Sequence, residues 1–347
     1  MKIPKSIITL LFLSFFVQAD TIQSPFNGLI LTSGEVENEY SFIITGHLYG
    51  KPSKAPTTSA ATFLESIDMI NNLDIDFTVF LGDCYYEPES LQINNFIKTT
   101  SKIESPVFNA IGNHEGDDWQ LYADYFGKTY FNFNYGSSVF VFIDLEMTNE
   151  KYIGEQYDFI SEVTNKILND SSIKNVFICT HKLIWLYHLK TLKENLEEIM
   201  WPQTYYTKID YDQHLRPMLD KLSENKKVYW LSGDWYLPLF YHKDTATGVT
   251  YIATGLDDNE KDAIIKINVD ANSVVSFQTL SLTGKKLSSL ESYDINYYID
   301  EVKRLTSMSV KAKDFIKSGL KMINENKIVS LIIFLLLGFT VIKLKNR

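Results

Sequence analysis

Cysteine is scarce in this chain, which contains only Cys84 and Cys179 among its 347 residues. Two cysteines cannot build the dense disulfide framework of a small secreted scaffold, so the fold must rest on its own hydrophobic core. Each cysteine lies within two residues of a polar residue that we treat below as a candidate metal ligand. We predict two close-packed free thiols, with a disulfide bridge or a thiolate ligand as the alternative.

Proline and glycine are also infrequent, with nine and 16 residues respectively. The chain has no internal repeat and no low-complexity tract, which argues against collagen-like and solenoid architectures. Its 45% hydrophobic and 14% aromatic content is too high for a disordered protein. We therefore expect one compact domain with a substantial core.

Basic residues are outnumbered, because 33 lysines and arginines face 43 acidic residues. Five of these basic residues and none of the acidic ones fall at 1–19 and 328–347, so the remaining chain has 28 basic against 43 acidic residues. A surface this acidic disfavours nucleic acid and anionic lipid headgroups as partners. A phosphate-bearing substrate would need local neutralisation by a metal ion or by a few basic groups.

Long apolar segments occur at the two ends of the chain. Residues 1–19 combine Lys2 and Lys5 with an apolar run and with a small residue, Ala19, which is the arrangement of a cleavable signal peptide. An uncleaved membrane anchor is the alternative. A signal peptide would place the domain that follows it outside the cytoplasm.

Residues 328–342 form the second apolar segment, which carries no charge. Its 15 residues are short for a transmembrane helix, which needs about 20, but the flanking Lys327 and Lys343 can reach the two membrane interfaces. The basic tail at 343–347 favours the cytoplasmic side. We predict a single-pass protein that is attached to the lipid bilayer through this helix, in preference to a buried core helix.

Lys343 and Lys345 also resemble the dilysine signal that retrieves membrane proteins to the endoplasmic reticulum of eukaryotes. In a bacterium the same tail would indicate topology alone, with the domain on the periplasmic or cell-surface face. The predicted organisation is a signal peptide at 1–19, a globular domain at 20–283, a stalk at 284–327, a transmembrane helix at 328–342 and a cytoplasmic tail at 343–347.

Short apolar runs alternate along the chain with segments of helical periodicity. The runs are YSFIITG, DFTVFLGD, PVFNAIGN, SVFVFIDLE, NVFICTH and KVYWLSGD. Helical periodicity occurs between several of them, at 60–72, 154–168 and 212–225. Strands separated by helices predict βαβ units and a buried sheet, whereas residues 251–282 favour strands joined by a turn at 270–272. We predict an α/β fold with an antiparallel end.

Polar residues follow most of these runs, at the ends of the predicted strands. In open α/β sheets, ligands bind beyond the carboxyl ends of the strands. Five strand ends that supply oxygen and imidazole groups to one rim indicate a metal site. The residues concerned are His47, Asp83, Tyr86, Asn113, His114, His181, Asp234 and Tyr236.

The order of four short motifs resembles a known family. After ITGHLYG come LGDCYY, IGNHEG, CTH and LSGDWY, and this order is similar to that of the calcineurin-like metallophosphoesterases, above all the purple, tartrate-resistant acid phosphatases. HLRPML before the last motif and GVTYIATG after it extend the similarity, which covers residues 41–256. The resemblance implies a β-sandwich flanked by helices (αββα) and metal-dependent hydrolysis of phosphate esters.

The resemblance also implies roles for five residues that match the family's motifs. Asp83 matches the carboxylate that bridges two metal ions, and Tyr86 matches the tyrosinate that binds iron in the purple phosphatases. Asn113 and His181 match two ligands of the second metal ion. His114 matches the histidine that protonates the leaving group.

Three positions depart from the purple pattern. His47 stands where that branch has aspartate, although in the wider family's D-x-H motif it is the histidine and Thr45 replaces the aspartate. Asp234 and Tyr236 replace the paired histidines of the last motif. Each replacement residue is itself able to bind a metal ion.

The donor sets of the two predicted sites differ in quality. The second site has three oxygen donors and one imidazole, which suit Mn²⁺, Fe²⁺, Mg²⁺ or Zn²⁺. A phenol binds metal well only when it is ionised, so the first site needs a strongly charged ion such as ferric iron. The second site comprises Asp83, Asn113, His181 and Asp234, and the first comprises His47, Asp83, Tyr86 and Tyr236.

Two functional hypotheses follow from these residues. The first is a membrane-anchored phosphoesterase that holds one or two metal ions, uses metal-activated hydroxide, and protonates the leaving group from His114. The second is a degenerate phosphatase-like module that binds a ligand or partner without turnover. The retained His114 favours the enzyme, because a binding module has no use for a proton donor, whereas the altered GDWY motif favours the module.

Nearby residues allow two readings each. Glu115, Asp117 and Asp118 are either solvated loop acids or groups that orient His114, and Asp144 is expected to hydrogen-bond locally. The aromatic-rich segment at 185–212 either forms a rim that selects the substrate or packs as a lid.

Overall fold

The computed structural model describes residues 21–32, 39–148, 150–187, 211–235, 239–301 and 303–304. Its contacts divide the chain into two compact units, of which the first ends at Tyr293 and the second begins at Asp294. In the second unit, Asp294 Oδ1 accepts a hydrogen bond from the Tyr297 amide, and Arg304 pairs with Glu301. The sheets, helices and site described below belong to the first unit.

The first sheet of this unit has five strands. Three parallel strands carry the chain from the start of the domain, and two antiparallel strands from its end complete the sheet. The strands are β3 (Tyr40–Thr45), β4 (Phe77–Phe80), β5 (Val107–Asn109), β12 (Ala263–Val269) and β13 (Val275–Ser281). Their spatial order is β13, β12, β3, β4 and β5.

The second sheet has six strands, which are β6 (Phe131–Tyr135), β7 (Ser138–Phe142), β8 (Asn175–Thr180), β9 (Lys227–Ser232), β10 (Phe240–Lys243) and β11 (Thr250–Ala253). Their spatial order is β10, β11, β9, β8, β7 and β6. The four central strands are parallel, and an antiparallel strand pairs at each edge. A separate antiparallel pair comprises β1 (Thr21–Gln23) and β2 (Ile30–Thr32).

Helices flank the sheets. The helices are α1 (Ala61–Glu65), α2 (Ile67–Asn71), α3 (Ser90–Thr100), α4 (Asn113–Gly116), α5 (Trp119–Phe126), α6 (Glu150–Asn169) and α7 (Arg216–Ser223). Apolar residues of α1, α2, α3 and α5 form one buried cluster with Ile43, Phe80, Val107 and Ile264 of the five-stranded sheet. Helix α7 packs against α6 and β9, so each sheet has helices on its outer face.

The inner faces of the two sheets pack through aromatic side chains. Phe42 of β3 makes edge-to-face contacts with Phe140 of β7 and Phe177 of β8, at ring centroid distances of 5.1 and 5.2 Å. Phe77 of β4 packs on Phe140 in the same way at 5.1 Å. Such contacts add to the free energy of burial. The layers are therefore helix, sheet, sheet and helix, as the αββα prediction requires.

All six apolar runs predicted as strands contain strands, and the predicted helices at 154–168 and 212–225 overlap α6 and α7. The helical segment at 60–72 is divided at Ser66 into α1 and α2. The predicted free thiols are confirmed, since Cys84 and Cys179 are both unpaired and buried. The sequence analysis did not predict α3, β6 or β10.

The first unit continues into the segment that the sequence predicts as a stalk. A 3₁₀ turn at Leu290–Ser292 places the fully buried Leu290 in the core. The Tyr293 carbonyl accepts a hydrogen bond of 3.0 Å from the amide of Tyr241 in β10. Residues 284–293 therefore pack on the domain.

The predicted signal peptide at 1–19 and transmembrane helix at 328–342 lie outside the described residues. Across the part of the chain that is described, no helix has both the length and the apolar composition needed to cross a bilayer.

Candidate metal centre

The carboxyl ends of parallel strands from both sheets meet at one rim of the sandwich. His47 follows β3, Asp83 follows β4, Asn113 opens α4 after β5, His181 follows β8, and Asp234 follows β9. Backbone hydrogen bonds join the turns after β8 and β9, since Gly233 and Asp234 both donate to the His181 carbonyl at 2.9 Å. The fold thus brings together the strand-end residues that the sequence singled out.

Close packing of the turns depends on glycine and on unusual backbone geometry. A Cβ atom on Gly233 would lie 1.8 Å from the Leu81 carbonyl oxygen, so no other residue fits there unchanged. His47 and Asp83 themselves have positive φ values of 50° and 58°. Non-glycine residues adopt this conformation at a cost, and such strain concentrates at functional sites.

Two carboxylates and two imidazoles form the centre of the site. His47 Nε2 lies 3.3 Å from both Asp83 Oδ2 and Asp234 Oδ1. His181 Nε2 lies 3.2 Å from Asp83 Oδ1 and 3.9 Å from Asp234 Oδ1. All four side chains are buried, so each histidine nitrogen stands between two carboxylates in a medium of low dielectric.

The second nitrogen of His181 fixes the orientation of its ring. Nδ1 lies 2.7 Å from the Leu81 carbonyl oxygen, which can only accept a hydrogen bond. Nδ1 therefore carries a proton, and Nε2 faces Asp83 Oδ1 at 3.2 Å. This arrangement is typical of metal-binding histidines, in which the remote nitrogen donates to a backbone carbonyl.

Lys182, which the sequence analysis did not consider, is the nearest cation to these groups. Its Nζ donates to Asn113 Oδ1 at 2.6 Å and to Asp234 Oδ2 at 2.9 Å, and only 5% of the residue is exposed. The sequence indicated Lys182 only indirectly. Asp234 is a carboxylate at a position where the family has histidine, and a buried carboxylate is stable only beside a positive charge.

His114 lies at the edge of the centre and is the more accessible histidine, with 22% of its side chain exposed. Its Nδ1 lies 2.6 Å from the Tyr86 carbonyl oxygen, so Nδ1 carries a proton and Nε2 faces Asp83 Oδ2 at 3.9 Å.

The phenol that contacts Asp83 is that of Tyr49, whose hydroxyl donates to Oδ2 at 3.2 Å. The ring of Tyr86 packs on His114, with centroids 5.0 Å apart.

Glu115 supports the loop that carries Asp83, and the interpretation of Glu115 as a solvated acid is wrong. Its Oε2 accepts hydrogen bonds of 2.9 Å from the amides of Gly112 and Asp83, and its Oε1 accepts one from Cys84. The carboxyl is fully buried. Asp118, by contrast, is exposed and caps α5 through the Leu121 amide.

The site holds Asp83 and Asp234 in the ionised form. Burial alone would raise the pKa of Asp83, but His181 and His47 outweigh it and hold that pKa well below its usual range. For Asp234, the charge of Lys182 and the hydrogen bond from His47 likewise overcome burial and lower the pKa. Burial would lower the pKa of His181, but Asp83 reverses this and raises it to about 9.

A further carboxyl at the rim was missed by the sequence analysis. Glu146 follows β7 and is 6% exposed, and within the described residues its Oε1 has no hydrogen-bond partner. Burial raises its pKa to about 8, although Lys182 and His181 oppose the shift. Its neighbour Asp144 hydrogen-bonds locally as expected, accepting from the Glu146 amide at 2.9 Å.

The donor atoms fit a metal ion. The ligand atoms of His47, His181 and Asp234 all lie within 4.8 Å of one another, and both histidines also contact Asp83. Ligands that bind one ion at about 2.0–2.2 Å lie roughly 3–3.5 Å apart. Two imidazoles with two carboxylates suit Zn²⁺, Mn²⁺ or iron. Tyr236, the remaining predicted ligand, lies outside the described residues.

No family model matches the chain, and no curated protein matches it in sequence. Among solved structures it is similar to a purple acid phosphatase, PPD1 from yellow lupin (Lupinus luteus) seeds, with a TM-score of 0.50 at 12% identity. That match covers 76% of this chain and 57% of the lupin protein.

Two further matches have lower TM-scores. The first is the phosphopantetheinyl hydrolase PptH from Mycobacterium tuberculosis, with a TM-score of 0.36 at 11% identity over 64% of this chain and 92% of that one. The second is a protein serine/threonine phosphatase from Saccharomyces cerevisiae, with a TM-score of 0.34 at 9% identity over 72% of this chain and 81% of that one. The likeness to the lupin enzyme is one of fold, and the chain spans little more than half of that enzyme's length. The chain therefore has a metallophosphoesterase-type fold.

Proposed function

We propose that the protein is a metal-dependent phosphoesterase that hydrolyses a phosphate ester. The observation that carries this proposal is the convergence of His47, Asp83, His181 and Asp234 at the carboxyl rim of a metallophosphoesterase-type sandwich. These four side chains would hold the ion. A bound divalent ion would polarise the phosphate group and activate a water molecule for attack on phosphorus.

The chain's own residues would divide the remaining tasks. Asp83 contacts His47, which follows a strand of the first sheet, and His181, which follows a strand of the second sheet, and so fixes their relative positions. The Tyr86 carbonyl orients His114 through Nδ1, which leaves Nε2 as the atom that delivers a proton to the departing alkoxide. Because His114 is the partly exposed member of the cluster, it can meet a substrate that arrives from solvent.

The sequence supports a membrane-anchored enzyme whose domain is extracytoplasmic. The support is the signal-like segment at 1–19 and the apolar segment at 328–342, with a location in the endoplasmic reticulum for a eukaryote and at the periplasmic or cell surface for a bacterium. Deletion of residues 328–347 should release the protein from membranes. Continued attachment would identify 1–19 as an uncleaved anchor.

One observation favours a second candidate, a phosphatase-like module without turnover. The ammonium of Lys182 already neutralises Asp234 and occupies Asn113, both of which the family resemblance assigns to metal binding. A centre that is neutralised in this way could survive as a structural element after catalysis had been lost.

Hydrolysis of an aryl phosphate by purified, chelator-stripped protein tests the proposal. Activity should return on adding one of Mn²⁺, Fe²⁺, Zn²⁺ or Mg²⁺, and Asp83→Asn should abolish both activity and metal binding, because Asp83 touches both histidines. Asp68→Asn, on the exposed face of α2, is the matched control. Full activity in Asp83→Asn would refute the site, and metal binding without any turnover would favour the second candidate.

A further inference from the structure

Lys182 is the one buried lysine side chain that points into the centre among the described residues. Its Nζ lies 2.6 Å from Asn113 Oδ1 and 2.9 Å from Asp234 Oδ2. Both distances are those of strong, charge-assisted hydrogen bonds. Burying an ammonium is costly unless it is paired, so the residue must be matched to its two partners.

The position of this ammonium decides how many metal ions can bind. A metal ion shared by Asn113 Oδ1 and Asp234 Oδ2 would lie about 2.0–2.3 Å from each oxygen. The Lys182 nitrogen already occupies the space between those two oxygens, and two cations cannot share it. Lys182 Nζ contacts Oδ2 of Asp234, whereas Oδ1 of the same carboxylate faces His47 Nε2 at 3.3 Å.

We propose that Lys182 serves as the resident second cation of the centre, so that the chain binds a single metal ion at His47, Asp83, His181 and Asp234. This inference rests on the metal-dependent function proposed above. It gives the lysine the role of charge neutralisation that a second metal ion would otherwise have.

The identity of residue 234 follows from the same arrangement. A carboxylate has two oxygens, so Asp234 can accept from Lys182 with Oδ2 and present Oδ1 to the shared ion. A histidine offers one lone pair and no charge, and it could not do both. Lys182 and Asp234 therefore form a complementary pair, in which the aspartate is a counter-ion as well as a ligand.

Metal stoichiometry tests this inference independently of activity. Equilibrium dialysis of the full chain with saturating Mn²⁺ should give one ion per chain, with the six-line electron paramagnetic resonance signal of an isolated Mn²⁺. Lys182→Met should raise the number towards two and produce the signal of an exchange-coupled pair. Lys182→Arg keeps the positive charge and should stay at one, and Lys54→Met, which removes an exposed lysine paired with Asp258, should also stay at one.

The outcomes separate this inference from the proposed function. Two ions in the wild-type chain, or one ion in a folded Lys182→Met variant, would overturn the role of Lys182 and leave the phosphoesterase proposal standing. No ion in any variant would overturn both. If Lys182→Met does not fold without metal, the wild-type count and the Lys182→Arg count still decide the question.

Discussion

At the scale of single residues, the centre is a cluster of buried charges whose balance depends on a few contacts. Asp83 and Asp234 stay ionised because the histidines and Lys182 face them, whereas burial keeps Glu146 protonated up to about pH 8. An ordinary glutamate carboxyl ionises near pH 4.5. The protonation state of Glu146 therefore differs between the folded and unfolded states over several pH units.

This difference predicts the pH dependence of stability in the metal-free protein. Between about pH 4.5 and about pH 8 the folded state keeps a proton on Glu146 that the unfolded state has lost, so stability falls as pH rises. Glu146→Gln is always neutral and should be more stable than wild type by roughly 1–3 kcal/mol near pH 8, with the difference vanishing near pH 5.

Thermal unfolding of both proteins in chelator at the two pH values measures this effect. Glu162→Gln, which removes an exposed carboxylate paired with Lys166, is the control and should show little change. An equal difference between Glu146→Gln and wild type at both pH values would mean that Glu146 ionises normally in the folded protein.

The residues of the site were predictable to unequal degrees. His47, Asp83, Asn113, His181 and Asp234 could be found because they follow apolar strands, and parallel strands end at one rim. Lys182 follows His181 directly, and a lysine at a strand end ordinarily reaches solvent, so its burial emerges only from the three-dimensional contact with Asp234 and Asn113.

At the scale of secondary structure elements, the turns after the strands position the chemistry. The turn after β9 packs so closely on Leu81, in the turn after β4, that Gly233 has no room for a side chain. Helix α6 offers the opposite case, since a Cβ on its Gly154 would meet nothing within 4 Å. Close packing therefore requires glycine at position 233 and does not require it at position 154.

Alanine substitution distinguishes these two positions. Gly233→Ala should cost at least about 2 kcal/mol of unfolding free energy and weaken metal binding, because the turn that carries Asp234 must shift. Gly154→Ala should stabilise the protein by roughly 0.5–1 kcal/mol, because alanine is the better helix former. Denaturant unfolding of each variant checks both values. A Gly233→Ala variant that is stable and binds metal would show that the turn after β9 does not contact Leu81.

The elements that were missed have weak local signals for physical reasons. Strand β6, FNFNY, alternates aromatic residues with asparagine, which disfavours strands, and its exposed face belongs to a sheet edge. Helix α3, SLQINNFIKTT, is rich in asparagine, threonine and isoleucine, whose helix propensities are low. Packing of its Ile93 and Phe96 into the core decides its structure.

At the scale of the whole molecule, the boundary of the first unit lies at Tyr293 and not at the end of β13. The segment after β13 returns to the domain, buries Leu290, and hydrogen-bonds to β10 through Tyr293. A boundary set by sequence at 283 misses these contacts, because the segment is largely polar and only Leu290 and Tyr293 of it are buried.

Truncation tests the boundary. A chain that ends at Tyr293 should unfold within experimental error of the longer protein, whereas one that ends at Thr283 should lose roughly 2–4 kcal/mol through removal of the buried Leu290 and Tyr293 side chains. Unfolding midpoints in urea provide the comparison. Equal stability of the two truncated chains would place 284–293 outside the folded unit.

Anomalous diffraction from crystals of the Mn²⁺-loaded protein tests the central claim most directly. We predict one peak per chain, within about 2.0–2.3 Å of the histidine nitrogens and carboxylate oxygens of His47, His181, Asp83 and Asp234. The Lys182 ammonium should stay between Asn113 and Asp234. Two peaks bridged by Asp83 would contradict the role given to Lys182, and no peak at this rim would contradict the metal centre itself.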